Sequence, residues 1–251
     1  MKVELISYTN DALSLLLSTK NTRLSVMDDP PTMWSEEKRA EHLEYMRDTI
    51  KSSWEFVDYI FKIDGVTRAF THQLVRTRTG SYAQQAMRVV DARNQPVAEP
   101  ATIYEGNIDI WNEGRDAALD CYAKLIGSGM PIQDARGILP TNITTSIMAK
   151  LNLRTLHEMA KLRLCTRTQG EYQDVFRAMR EVVIAVHPWA EQFIDVHCVA
   201  TGTCAFPRYG AKECPVYLSE MDNTSVRKAA REKFWSVRHE AAPVAKDGKA
   251  M

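Results

Sequence analysis

The chain lacks any run of eighteen apolar residues, so no segment has the length and apolarity of a membrane-spanning helix. It lacks net charge as well, since 32 Lys and Arg balance 32 Asp and Glu. No overall field draws it to nucleic acid or to an anionic membrane, and any anion site must be built locally. Cysteine is scarce, five residues and an odd number, which argues against a disulfide framework and for reduced thiols. Glu4 interrupts the opening apolar stretch, so no signal-peptide core is expected and a cytoplasmic setting follows. Internal repeats and low-complexity tracts are also missing. What remains is 251 residues at 45% apolar content, enough to bury a substantial core in one large domain or two small ones.

Hydrophobic periodicity sketches the elements. Met1 to Tyr8 reads as a first strand and Asn10 to Leu17 as a short helix. Pro30 and Pro31 break the chain ahead of a longer helix from about Ser35 to Ser52, with Ala40, Leu43, Met46 and Ile50 on its apolar face. Aromatic and β-branched residues from Trp54 to Ile63 suit a buried strand, after which Asp64 and Gly65 turn the chain. Val66, Ala69, Phe70 and Leu74 recur at helical spacing and place Gln73, Arg76 and Arg78 at the end of a helix. Past a loop through Pro96 and Pro100, a helix from Ile108 to Ile126 carries Trp111, Leu119, Tyr122 and Ile126 on one face. Pro131 opens a further helix, and Asn152 caps the helical run Leu153, Leu156, Met159, Ala160. Thr168 to Val186 buries Tyr172, Phe176, Met179 and Val183. His197 to Cys204 reads as loop, and Asn223 opens a last amphipathic helix through Trp235 ahead of a mobile tail, 241–251. The expected organisation is a main domain over residues 1–218 and a C-terminal helix with tail over 219–251.

Chemistry concentrates between Gln73 and Arg88. This short run packs Gln73, Arg76, Arg78, Ser81, Gln84, Gln85 and Arg88 directly after an apolar stretch. Arg76 and Arg78 are suited to bidentate contacts with phosphoryl oxygens, Ser81 to donating a hydrogen bond, and Gly80 to close backbone approach. A second polar series follows: Ala135-Arg136-Gly-Ile-Leu139-Pro140, then Asn152-Leu-Arg154, Arg163, and Gln169-Gly-Glu171. Arg154 and Arg163 lie about 900° of helical turn apart, so they point to opposite sides of one helix and serve different groups.

Taken in this order, the clusters resemble the flavin-dependent thymidylate synthases. That family pairs an Arg-His-Arg-x-x-Ser run, ending in a further arginine, with a downstream Ala-Arg-x-x-Leu-Pro and an Asn-x-Arg helix, and the similarity spans Trp54 to Pro188. The resemblance implies an α+β (α/β) fold, a mixed central sheet flanked by long helices, assembled as a homotetramer with FAD across subunit interfaces. It implies reductive methylation of dUMP to dTMP, with NADPH and methylenetetrahydrofolate as co-substrates. Carried over by position, Ser52, Arg76, Thr77, Arg78, Gln84, Asn152, Arg154 and Glu158 would contact FAD. Gln73, Arg76, Gln84, Gln85, Ala86, Met87, Arg88 and Arg136 would hold the nucleotide, with Arg76, Arg88 and Arg136 on its phosphate. Arg163 falls on the catalytic arginine at the pyrimidine ring, where a guanidinium stabilises charge building toward C5.

The chain departs from that pattern inside the site. Thr77 stands for the histidine of Arg-His-Arg, Ala83 for an asparagine, Gln84 for a glutamate and Ala86 for a serine. Upstream, Ile50-Lys-Ser52-Ser-Trp-Glu55-Phe56 keeps a hydroxyl and a glutamate but neither family histidine, and Ser53 rivals Ser52 for the hydroxyl role. Glu158 holds the position of a family His or Asn, with His157 one place earlier. These changes leave two alternatives open, hydroxymethylation or methylation of another pyrimidine nucleotide, and a non-catalytic phosphate or nucleic-acid binding module. Cys198, Cys204 and Cys214, with His197 and Cys165, are residue types that ligate structural zinc. Their spacing matches no tight zinc knuckle, so incidental thiols and no metal are expected.

Overall fold

The computed structural model describes residues 1–25, 29–209 and Cys214. The chain divides into two compact units, each assembled from two stretches of sequence: Met1–Leu16 with Trp54–Thr155, and Leu17–Ser53 with Leu156–Met251. The domain boundary expected near residue 218, the cap at Asn223 and the tail lie outside the described residues.

The first unit is built on one four-stranded sheet in the order β1-β2-β4-β3. Strand β1 spans Lys2–Tyr8, β2 Asp58–Thr67, β3 Ser81–Gln84 and β4 Thr144–Asn152. Every pairing is antiparallel, where a mixed sheet was expected; the α+β class stands. Alternation decides the faces, since Tyr59, Phe61 and Ile63 of β2 and Thr145, Ile147, Ala149 and Leu151 of β4 are all buried. Asp64-Gly65 does not turn the chain. Gly65 takes φ +68, the register slips between Asp64 and Val66, and the strand runs on to Thr67, so the pair forms a bulge that glycine alone enters without strain.

Helix α1, Ala12–Leu24, outlasts the short helix expected to end at Leu17. Nothing in Ser18–Leu24 breaks it before Ser25 adopts φ 52. Helix α2, Glu36–Asp48, starts where Ser35 accepts a hydrogen bond from Lys38 N–H. It ends four residues earlier than expected, which leaves Ile50 exposed, and Ala40 also faces water, while Leu43 and Met46 are buried. A 3-10 turn over Lys51–Phe56 follows, so Trp54 is buried ahead of β2 and not within it.

In the first unit, helix α3, Arg68–Leu74, is capped by the Thr67 side chain accepting from Phe70 N–H at 3.0 Å. Helix α4, Ile108–Gly127, and the short α5, Ile132–Ala135, with Pro131 as its N-cap, complete that unit's helices. Tyr122 of α4 sits in a small core with Ala92, Ala135 and Ile143. Helix α6, Leu153–Arg163, begins in the first unit and ends in the second. Its Asn152 cap is as expected, Oδ1 accepting from Thr155 N–H at 2.8 Å. In the second unit, α7, Gly170–Val186, buries Tyr172, Phe176, Met179 and Val183. Residues expected as loop from His197 form α8, His197–Thr201, closed by Gly202 at φ 76.

Candidate active site

In the first unit the arginine run hangs from α3 as a tight turn. Gln73 lies within the helix, and backbone hydrogen bonds from Arg76 N–H to Gln73 and from Thr77 N–H to Leu74 carry the chain around. Thr77 carbonyl oxygen then accepts from Gly80 N–H at 3.1 Å and from the Tyr82 hydroxyl at 2.9 Å. Gly80 is required here by crowding: a Cβ would stand 2.5 Å from the Tyr82 hydroxyl and 2.6 Å from a Leu151 methyl. Thr155 Oγ1, at the start of α6, donates to Thr79 Oγ1 at 3.1 Å and ties the turn to the helix. The result is a fixed backbone from which Arg76 and Arg78 stand exposed. With His72 and Val75 they line a recess of about 370 Å³.

Ser81 to Gln84 form β3, which periodicity did not reveal. Gln84 donates its amide to Thr71 Oγ1 at 2.7 Å. Gln85 and Gln95 exchange side-chain amide hydrogen bonds of 3.4 and 3.2 Å, and Thr145 Oγ1 donates to Gln85 Oε1. Met87, partly buried, packs against the core around Tyr122. Ala86 and Arg88 are exposed.

Arg136, half-buried at the end of α5, acts by its charge on a residue that sequence reasoning missed. Arg68, the first residue of α3, has its pKa lowered first by burial and then by the Arg136 guanidinium. Two like charges that act on each other in partial burial are stabilised when an anion lies near both. The signal for Arg68 was its place at a helix start, two residues after Val66, the first of the apolar series that the sequence reading assigned to core. Arg154 is spoken for by a different partner, an ion pair with Glu55 in which both side chains are about half exposed, while Asn152 is occupied as the α6 cap. Among the described residues no carboxylate pairs with Arg76, Arg78, Arg88 or Arg136.

In the second unit Ser52 is exposed, whereas Ser53 is buried with no hydrogen-bond partner among the described residues for its Oγ. Ser52 is therefore the hydroxyl open to a ligand. Glu158 is clamped by two lysines, Lys51 at 3.1 Å and Lys161 at 3.0 Å, and burial of this group is outweighed by those lysines, which hold its pKa low. Lys51 also reaches His157 Nε2 at 2.9 Å. Arg163, the last residue of α6, lays its guanidinium 4.4 Å from the centre of the buried Tyr172 ring, a cation–π contact that helps hold the side chain in place. Arg180 is a structural counter-example: buried, it donates to Ile194 carbonyl at 2.8 Å and pairs with Glu191.

Comparison with known proteins adds a family to this geometry. A family model described as thymidylate synthase complementing protein matches residues 4–189. A flavin-dependent thymidylate synthase of Sulfurisphaera tokodaii is 32% identical over 209 residues, 79% of this chain and 79% of that protein. One of Sulfolobus acidocaldarius is 29% identical over 233 residues, 89% of this chain and 86% of that protein. Two solved structures share the fold. A UMP/dUMP methylase, PolB, of Streptomyces cacaoi bound with 5-Br dUMP gives a TM-score of 0.64 at 19% identity, covering 78% of this chain and 97% of that one. Flavin-dependent thymidylate synthase ThyX of Helicobacter pylori, complexed with FAD and dUMP, gives 0.62 at 20% identity, covering 78% and 100%.

Proposed function

The chain belongs to the thymidylate synthase complementing protein family, and on that premise we propose that it is a flavin-dependent thymidylate synthase methylating dUMP to dTMP. FAD is its cofactor, NADPH and methylenetetrahydrofolate are its co-substrates, and it works as a homotetramer in the cytoplasm. The observation that carries the reading is the set of guanidinium groups in the first unit that no carboxylate among the described residues neutralises. They are two on a stiff turn beside a 370 Å³ recess and two more, Arg68 and Arg136, of which the second lowers the pKa of the first by its charge.

The donor chemistry fits a dinucleotide with a diphosphate and a nucleoside monophosphate. Arg76, Thr77 and Arg78 would take the FAD diphosphate region, with Gln84, Asn152 and Arg154 beside them and Ser52 and Glu158 as further contacts. FAD when bound supplies hydride chemistry that no side chain offers. Arg76, Arg88 and Arg136, joined by Arg68, would hold the dUMP phosphate, and Gln73 with the Gln84–Arg88 backbone would hold the rest of the nucleotide. Arg163 acts at the ring. C5 of uracil is a poor nucleophile until negative charge builds on the base, and a permanently cationic fork beside the ring stabilises that charge.

Two pieces of chemistry change with the family pattern. Gln84 places a neutral amide where a carboxylate is usual, so bound phosphates meet one anion fewer. Thr77 contributes its carbonyl to the turn and not an imidazole to the flavin. The deciding assay uses 5-tritiated dUMP with NADPH and methylenetetrahydrofolate: the purified chain is yellow and releases tritium to water. Colourless protein that also fails to take up added FAD sinks the proposal.

A further inference from the structure

Away from the arginines, four of the five cysteines meet in one place within the second unit. Cys165 follows α6, Cys198 lies in α8, and Cys204 and Cys214 come later, yet all four line a single cavity of about 20 Å³ together with His197 and Lys161. A chamber of that size holds roughly one water-sized body. Three separate stretches of chain converge to bring these thiols together; Cys121, on α4, belongs to the other unit.

The sulfurs are surrounded as thiolates are. Arg167 N–H donates to Cys165, and Phe206 N–H donates to Cys204 at 3.3 Å, each from two residues further along the chain. Thr166 Oγ1 donates to Cys214 Sγ at 3.5 Å. Such bonds favour the charged sulfur. A soft cation balances that charge by replacing the thiol protons. No carboxylate lines the cavity, so a hard, oxygen-seeking ion has nothing to bind.

We propose that Cys165, Cys198, Cys204 and Cys214 hold one structural zinc ion as four thiolates. Binding releases four protons, forms four Zn–S bonds and changes no oxidation state, leaving a site of charge −2 beside Lys161. Among the described residues no group of three or more His, Cys, Asp and Glu side chains is already gathered closely enough to hold a metal. Coordination therefore draws the sulfurs in from the cavity wall to about 2.3 Å from the ion and closes the chamber.

The test is metal analysis of the full chain, purified without chelator from zinc-containing medium. Wild type and Cys121→Ser carry about one zinc per chain, and Cys165→Ser and Cys204→Ser fall below about a tenth of that. Because a serine variant could lose zinc by misfolding, cobalt added to the unsubstituted chain provides a second reading: four thiolates give intense sulfur-to-cobalt charge-transfer absorption. Zinc-free wild type without that absorption overturns the proposal. So does a disulfide among the four in alkylated protein, iron in place of zinc, or zinc retained by both serine variants. None of these outcomes bears on the flavin reading, which stands on other residues.

Discussion

Acidification from pH 7.5 to 5 should destabilise the second unit by about 2 kcal/mol through one side chain, His157. Its Nδ1–H donates to the Phe193 carbonyl at 2.6 Å, so Nε2 carries the lone pair that accepts from Lys51 Nζ at 2.9 Å. The ring is thus neutral and wedged between a carbonyl and an ammonium. Burial brings its pKa from 6.5 down to about 4; the Phe193 hydrogen bond opposes it most, Lys161 and Lys51 add to it, and Glu158 opposes it least. The unfolded chain takes up this proton below pH 6.5 while the folded one refuses it until about pH 4. The contribution is complete above 6.5, shrinks through the window between, and is gone below 4. Each pH unit inside the window is worth about 1.4 kcal/mol, which gives about 2 kcal/mol at pH 5 and on the order of 3 in full. For a chain of this size that lowers Tm by about 4–8 °C. Urea unfolding of wild type and His157→Gln at both pH values isolates the effect, since the variant lacks the titrating ring. Equal losses in the two proteins, or an imidazole resonance titrating near 6.5 in the native state, would refute the reasoning.

Arg163→Ala should keep the flavin colour yet lower tritium release by up to about a thousandfold, because a unit charge pair near 4 Å is worth on the order of 4 kcal/mol at an effective dielectric of 20. Turnover close to wild type would remove Arg163 from the ring. Arg68→Met and Arg136→Met should each raise the KM for dUMP at least about tenfold, with FAD retention unchanged; a change in FAD binding alone would reassign the pair. Gly80→Ala should cost about 1–3 kcal/mol in chemical denaturation, since the new methyl must displace the Tyr82 ring from its bond to Thr77. Unchanged stability with unchanged FAD affinity would show that the turn is not held as described.

Strong local signals read correctly from sequence. The Asn152 cap, the buried stripe of α7 and the strand at Lys2–Tyr8 rest on periodicity and on side chains that satisfy their own backbone, and the structure contains all three. Errors fell where tertiary pairing overrides local preference. Gly65 looks like a turn until β4 lies alongside and makes it a bulge. Ser81–Gln84 carries too few apolar residues to advertise a strand and becomes one through pairing with Ile147–Lys150. The candidate site divides in the same way. That Arg76 and Arg78 would stand together at an element end was legible in the dense cationic run after an apolar helix. Arg68 was not, because its meaning comes only from Arg136, far along the chain. The grip of Lys51 and Lys161 on Glu158 was equally invisible, since three residues with no shared motif produce it. Four cysteines spaced too irregularly for a zinc knuckle converge only when the chain is folded.

The sheet order has a consequence for how this protein is made. Among the described residues strand β3, onto which the arginine turn leads, pairs with no strand but β4, and β4 emerges from the ribosome after the whole of α4 and α5. Until Thr144–Asn152 has been synthesised, β2 has no partner on that side and the turn has only its own local hydrogen bonds to hold it. Nascent chains released early would carry the full cationic run without the sheet edge it leads into. Pairing across so long an intervening segment also favours slow folding, and flavin or nucleotide present during synthesis would capture only chains that have completed this late step.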